Sequence, residues 1–375
     1  GKTGASAGAA AGSGTITIGE NATKSIGLLV GDSKENLNDG KLNGVETTGR
    51  QLKRSGSITA NEGANVVVNG DSNYGFVVKS ESYKSVFDSN LIDNLLESTD
   101  RTNYGVGINK GTITVNGTNS IAFAMLKGGN SSNSGDLIVN PLTAGGTQKS
   151  TAFYGEQGNF ANSGNITVNT PANTGNIGVL LKGPNTTTPI NFINKGNISV
   201  QGEGNIGVYG EGTYTFNHEK NTAGTNKISV GSDAIGIYAK EASGTLNIKA
   251  PIDVAASGTG TTIGIYSDGE ANVNFGDDSK LTIGTGAVGL YSSVPTKFSN
   301  TFKVETGKSL EVELGQNSTF GLLNGATGTV NVGTYLKNNT INISSFGSGA
   351  SIFYTTGGVT ANLNEDYTVT NGGAA

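Results

Sequence analysis

The chain has 375 residues, of which 60 are glycine and only 6 proline, with no cysteine, a single histidine and a formal net charge of −5. The missing cysteine excludes disulfide frameworks and thiolate metal sites, and the lone histidine excludes a histidine-rich metal site. The negative charge, with no basic runs, gives no steering toward nucleic acid.

Residues 1–14 are rich in Gly, Ala and Ser and lack a charged start followed by an apolar core, so they do not read as a signal peptide. No apolar run approaches the roughly 20 residues of a membrane helix. The first periodic unit is Ile16-Thr-Ile18 with Ile26-Gly-Leu28-Leu29. The pattern then stops over 31–54, a polar stretch carrying Lys34, Glu35, Lys41, Glu46, Arg50 and Arg54, which reads as a loop insertion. It resumes with Ile58, Val66 and Val68, and Tyr74-Gly-Phe76.

A second break, 80–103, differs in kind. Phe87, Leu91, Ile92, Leu95 and Leu96 recur at helical spacing with Asp88, Asp93 and Glu97 between them, which predicts a short amphipathic helix of about three turns. It reads either as a helix folded back on the body or as a partner-binding element, and Phe87, Leu91 and Leu95 are its candidate contact residues.

Regular units occupy 105–345, with loops expected around 141–149, 183–189 and 294–300. The clearest is Ile228-Ser-Val230, a Gly-Ser-Asp turn, then Ile235-Gly-Ile237-Tyr238. Period-two alternation marks half-buried strands, with Ile228 and Val230 expected on one face and Ile235 and Ile237 together on one face. A third run follows in most units, as in Leu246-Asn-Ile248. The small residue of the second run falls at 122, 152, 178, 207, 236, 264, 289 and 321, intervals of 25 to 32 residues. Three short strands per repeat with no helical period between them predict an all-β parallel β-helix, a single solenoid domain over 1–375 of about 12 coils. Stacked at about 4.8 Å, these make a rod about 60 Å long. One coil offers only about six inward side chains, at roughly 1.5–3 kcal/mol each, against about 1–2 kcal/mol of backbone entropy per residue. Stability must therefore come from stacking between neighbours. Both ends break the pattern without a cap, which suggests a piece of a longer chain.

The chemistry of enzymes on such folds needs carboxylates beside a base on one outer face. Asp277-Asp278, with Lys280 alongside and His218 two coils earlier, is the one conceivable grouping, and solvated turns account for it as well. Gly-Asp-Ser occurs at 31–33 and 70–72 without the remaining context of a serine protease triad. No catalytic residue, metal ligand or cofactor is assigned. The aromatic column is more informative. Tyr209, Tyr238, Tyr266 and Tyr291 close the second strand of four successive units, with Tyr154 and Tyr354 in the same register. Alternation sends them outward, where a ladder of phenols either covers the strand or binds sugar rings or a protein.

The phrases NKGTITVNGTNSIAF (109–123), NSGNITVNTPANTGNIGVL (162–180) and NKGNISVQGEGNIGVY (194–209) resemble the passenger repeats of large fusobacterial autotransporter adhesins of the RadD type. The resemblance covers most of 105–345. It implies a right-handed β-helix with three strands per coil, displayed at the cell surface by a C-terminal outer-membrane β-barrel and binding glycans or proteins of host cells or other bacteria. It carries over no ligand residues. The expected function is a surface adhesin passenger that is not an enzyme and does not itself span the membrane. A structural stalk whose binding lies elsewhere, and a carbohydrate-active enzyme on the same fold, are the alternatives.

Overall fold

The computed structural model describes residues 7–8, 14–37, 41–42, 45–46, 50–55, 57–79, 105–127, 130–142, 147–169, 175–183, 189–240, 244–269, 271–294, 298–325, 327–332 and 341–362. These form a parallel β-helix. One coil runs through Ile198–Gln201, Ile206–Gly212 and Tyr214–Glu219, and the corresponding strands of successive coils hydrogen-bond in register. Among the described residues the first sheet has 11 strands, the second 12 and the third 10. The three sheets enclose one continuous core from Ile18 to Val359.

Inside, like side chains stack on like. Phe76, Phe123, Phe153, Phe160, Phe192 and Phe216 form a column with ring centroids 4.2 to 5.9 Å apart. At the corner after the third strand, buried amides form a second column. Asn109, Asn133 and Asn162 each donate from Nδ2 to Oδ1 of the next asparagine at 2.7 Å, ending at Asn194. Asn194 Nδ2 lies 3.0 Å from His218 Nδ1. Buried amides are tolerated because each has a partner in the next coil.

The corner between the first and second strands is made by a residue with positive φ, stacked coil upon coil. It is Lys24, Ser72, Asn119, Lys149 and Asp233 in some coils and Gly175, Gly204, Gly286 or Gly349 in others. The occupant varies while the backbone conformation does not, except after Ile252–Val254, where the longer corner 255–262 holds no residue at positive φ.

Three expectations change. The polar insertion 31–54 is not a plain loop: the strand Ile26–Leu37 runs past its neighbour and pairs antiparallel with Arg50–Ser55, from Asp32 opposite Ser55 to Leu37 opposite Arg50. Ile235 and Ile237 do not share a face. Ile237 is buried in the core while Ile235 is partly buried and outside it, because the strand is irregular at Gly236, which the register passes over. A Cβ there would lie 2.6 Å from the Gly264 carbonyl oxygen, a contact side chains do not make. Third, within the loop expected at 294–300, the turn Phe298–Thr301 is helical and drives Phe298 into the core, 5.0 Å from Phe302. The helix expected over 80–103, with Phe87, Leu91 and Leu95, lies outside the described residues.

The places where the two insertions leave and rejoin the rod are stacked. Residues 31–54 fall between the second strand and the third strand Ser57–Ala60, and 80–103 between Tyr74–Lys79 and Val106–Asn109. Those flanking strands pair in register, so consecutive coils are elaborated at one corner.

Candidate binding face

The three outer faces differ in chemistry. On the third sheet, Asn130, Asn159, Asn191, Asn217, Asn247 and Asn274 form a surface ladder of side-chain amides with contacts of 2.8 to 3.4 Å. On the first sheet, Asp136, Asn165 and Asn197 form a shorter one, and Lys280 is paired with both Glu311 and Glu313. Among the described residues, the second sheet alone turns an aromatic and apolar column outward.

That column is in strict register. Tyr209, Tyr238, Tyr266 and Tyr291 are aligned partners in successive strands, with ring centroids 5.1, 4.7 and 4.7 Å apart and planes within 18°. Tyr154 is separated from this ladder by Leu180, and Tyr354 by Leu322. From Tyr154 to Tyr354 every member is partly or fully exposed, Tyr354 at 52%. Toward the other end the column continues into Val77 and Ala124, both buried, and Leu29, which is exposed.

A charged column that sequence reading missed runs beside it, two residues after Tyr154, Leu180, Tyr209, Tyr238 and Tyr266: Glu156, Lys182, Glu211, Lys240 and Asp268, alternating in sign. The signal was visible only once the register was known. The phenols bond to it. Tyr154 donates to Glu156 at 2.6 Å, Tyr238 to Asp268 Oδ2 at 2.7 Å, and Lys240 lies 3.4 Å from Glu211. Farther along, Asn324 donates to the Tyr291 hydroxyl at 2.6 Å. Burial first, and the adjacent carboxylate second, push the Tyr154 and Tyr238 phenols up from the usual value, so both act as hydrogen-bond donors.

Ring geometry limits what this face can hold. Sugar rings stack on aromatic faces, yet in the middle of the ladder each face is covered by the next tyrosine. What remains is a row of ring edges and hydroxyls backed by charge, a surface suited to another protein.

The groups considered for catalysis do not converge. His218 is buried and lies 3.2 Å from the Pro251 carbonyl, Asp277 pairs with Lys308 at 2.6 Å, and Asp278 pairs with Lys220 at 2.9 Å. The Asp71 carboxylate of Gly70-Asp71-Ser72 accepts from Asn119, Thr118 and Ser72, which hold it below the usual carboxylate range. A groove of about 770 Å³ at the corner after the first strand is lined by Asn69, Asn116, Thr118, Asn140 and Leu142, with Glu20 its one carboxylate.

No protein family matches the chain, and no curated protein or solved structure matches it either. Among the described residues no helix is long and apolar enough to cross a membrane.

Proposed function

We propose that this chain is the passenger of a cell-surface adhesin: a rigid β-helical rod, carried in its parent protein by an outer-membrane β-barrel, that attaches to host cells or other bacteria through the outer face of its second sheet. The observation that carries this reading is the contrast between the faces. The outer asparagine and ion-pair ladders already satisfy one another, whereas the column from Tyr154 to Tyr354 leaves apolar edges in water along eight coils. Contiguous apolar surface rimmed by charge marks interaction sites. The paired insertions at 31–54 and 80–103 add support, because recognition concentrates on segments held by a rigid scaffold.

The test is saturation binding of the labelled chain to epithelial cells and to bacteria of other species. Tyr238→Ala with Tyr266→Ala, and separately deletion of 80–103, should lower attachment while the circular dichroism stays that of a β-rich fold. If neither the parent chain nor the variants bind, the segment is a stalk.

A further inference from the structure

We infer that the outer face of the second sheet pairs with the same face of a second copy of this chain, the two rods antiparallel about a two-fold axis passing between Tyr238 and Tyr266. This deepens, and rests on, the reading of that face as the binding surface. An isologous contact between flat faces requires a two-fold axis in the plane of contact. If the axis runs along the rod, the charged column of one copy meets the apolar side of the other. If it runs across the rod, tyrosine column meets tyrosine column and charged column meets charged column, with the order of coils reversed.

The alternation of sign then selects where the axis lies. Placed on a coil, it sets like against like, Lys182 against Lys240 about Glu211. Placed between coils, it sets opposite against opposite. The accessible column, Tyr154 to Tyr354, spans eight coils, and its midpoint falls between the coils of Tyr238 and Tyr266. Outward from that point the column reads Tyr-Tyr-Leu-Tyr in both directions, so rings of equal reach oppose one another. Lys240 opposes Asp268 of the other copy, twice by symmetry. Glu211 opposes Ser293, and Lys182 opposes Asn324. Overlap is greatest at this axis, and the facing charges there are opposite in sign. Eight coils at about 4.8 Å and strands of about 16 Å present roughly 600 Å² per copy, or about 1,200 Å² in total, the lower bound of specific interfaces. The pairing is accordingly reversible and sensitive to salt.

Sedimentation velocity of the purified chain between about 1 and 100 µM tests this. The expected result is a concentration-dependent monomer–dimer equilibrium, weakened at least tenfold by Lys240→Glu and restored by the charge-swapped pair Lys240→Glu with Asp268→Lys. Orientation is read by cross-linking, because the chain has no cysteine. A mixture of Glu211→Cys and Ser293→Cys proteins should form the mixed disulfide faster than either forms its own. A chain that stays monomeric at 100 µM, a Lys240→Glu variant that dimerises undiminished, or equal cross-linking in all combinations would overturn the proposal. Attachment to foreign cells by a chain that stays monomeric would leave the lateral face as the binding surface and rule out only the second copy as its partner.

Discussion

Asn194 lies 3.0 Å from His218 through its side-chain nitrogen Nδ2, a donor, so Nδ1 of the imidazole is the acceptor. The proton of the neutral ring therefore sits on Nε2 and is donated to the Pro251 carbonyl at 3.2 Å. The amide column that starts at Asn109 ends on this ring, and in the next coil Ile248 takes its place. A protonated imidazole would set a second donor against the Asn194 amide.

Acid should therefore weaken the rod. Burial pushes His218 down from 6.5 to about 4. The folded pKa lies below the unfolded one, so the contribution is fully present above pH 6.5 and is lost as pH falls from 6.5 through 4. It amounts to about 3 kcal/mol by pH 4. Urea unfolding of the chain and of His218→Asn at pH 4, 5, 6 and 7 checks it: the difference in stability between the two should change in this direction, and parallel pH dependences would contradict it.

The inner and outer amide ladders should differ in cost. Asn162→Ala leaves one N–H of the buried Asn133 amide and the Asn194 side-chain carbonyl unpaired and should destabilise by about 2–4 kcal/mol. Asn247→Ala, on the third sheet's surface, exposes its neighbours to water and should cost less than about 1 kcal/mol. Denaturation midpoints of the two variants make the comparison.

Tyr214→Phe should stabilise, against the usual trend for core substitutions. The ring is buried between Gly210 and Gly244, where any Cβ would overlap it, and its hydroxyl has no hydrogen-bond partner. Removing the orphaned hydroxyl should gain about 1 kcal/mol. Gly244→Ala, which pushes on the same ring, should lose stability, and thermal melts of the two should move in opposite directions.

Lys149→Gly should also stabilise. Lys149 is exposed and holds φ at 53° in the corner column, a conformation that costs a residue with a Cβ about 1–2 kcal/mol. Glycine's larger unfolded-state entropy offsets part of this, leaving a gain of about 0.5–1 kcal/mol in urea unfolding.

The rod was legible in the sequence because period-two alternation, repeated every 25 to 32 residues, leaves few other folds. The four central tyrosines were legible for the same reason, each closing a second strand. The corner column was hidden: Lys149, Asp233 and Gly204 share a backbone conformation but no chemistry. The outward turn of Ile235 was hidden by the irregularity at Gly236, which makes a strict alternation put Ile235 and Ile237 on one side. Glu156, Lys182, Glu211, Lys240 and Asp268 lie 26 to 29 residues apart and look like scattered surface charge until the register aligns them. The Phe298 turn gave no periodic signal, being a single turn.

The central claim is that one outer face of the rod makes the contacts. One arginine on each face tests it: Tyr238→Arg on the second sheet, Asn247→Arg on the third and Ser229→Arg on the first, each compared with the unaltered chain in saturation binding to cells once melting temperatures are matched. Loss of binding in Tyr238→Arg alone is the predicted result. Equal binding by all three variants, or loss confined to Asn247→Arg or Ser229→Arg, would contradict it.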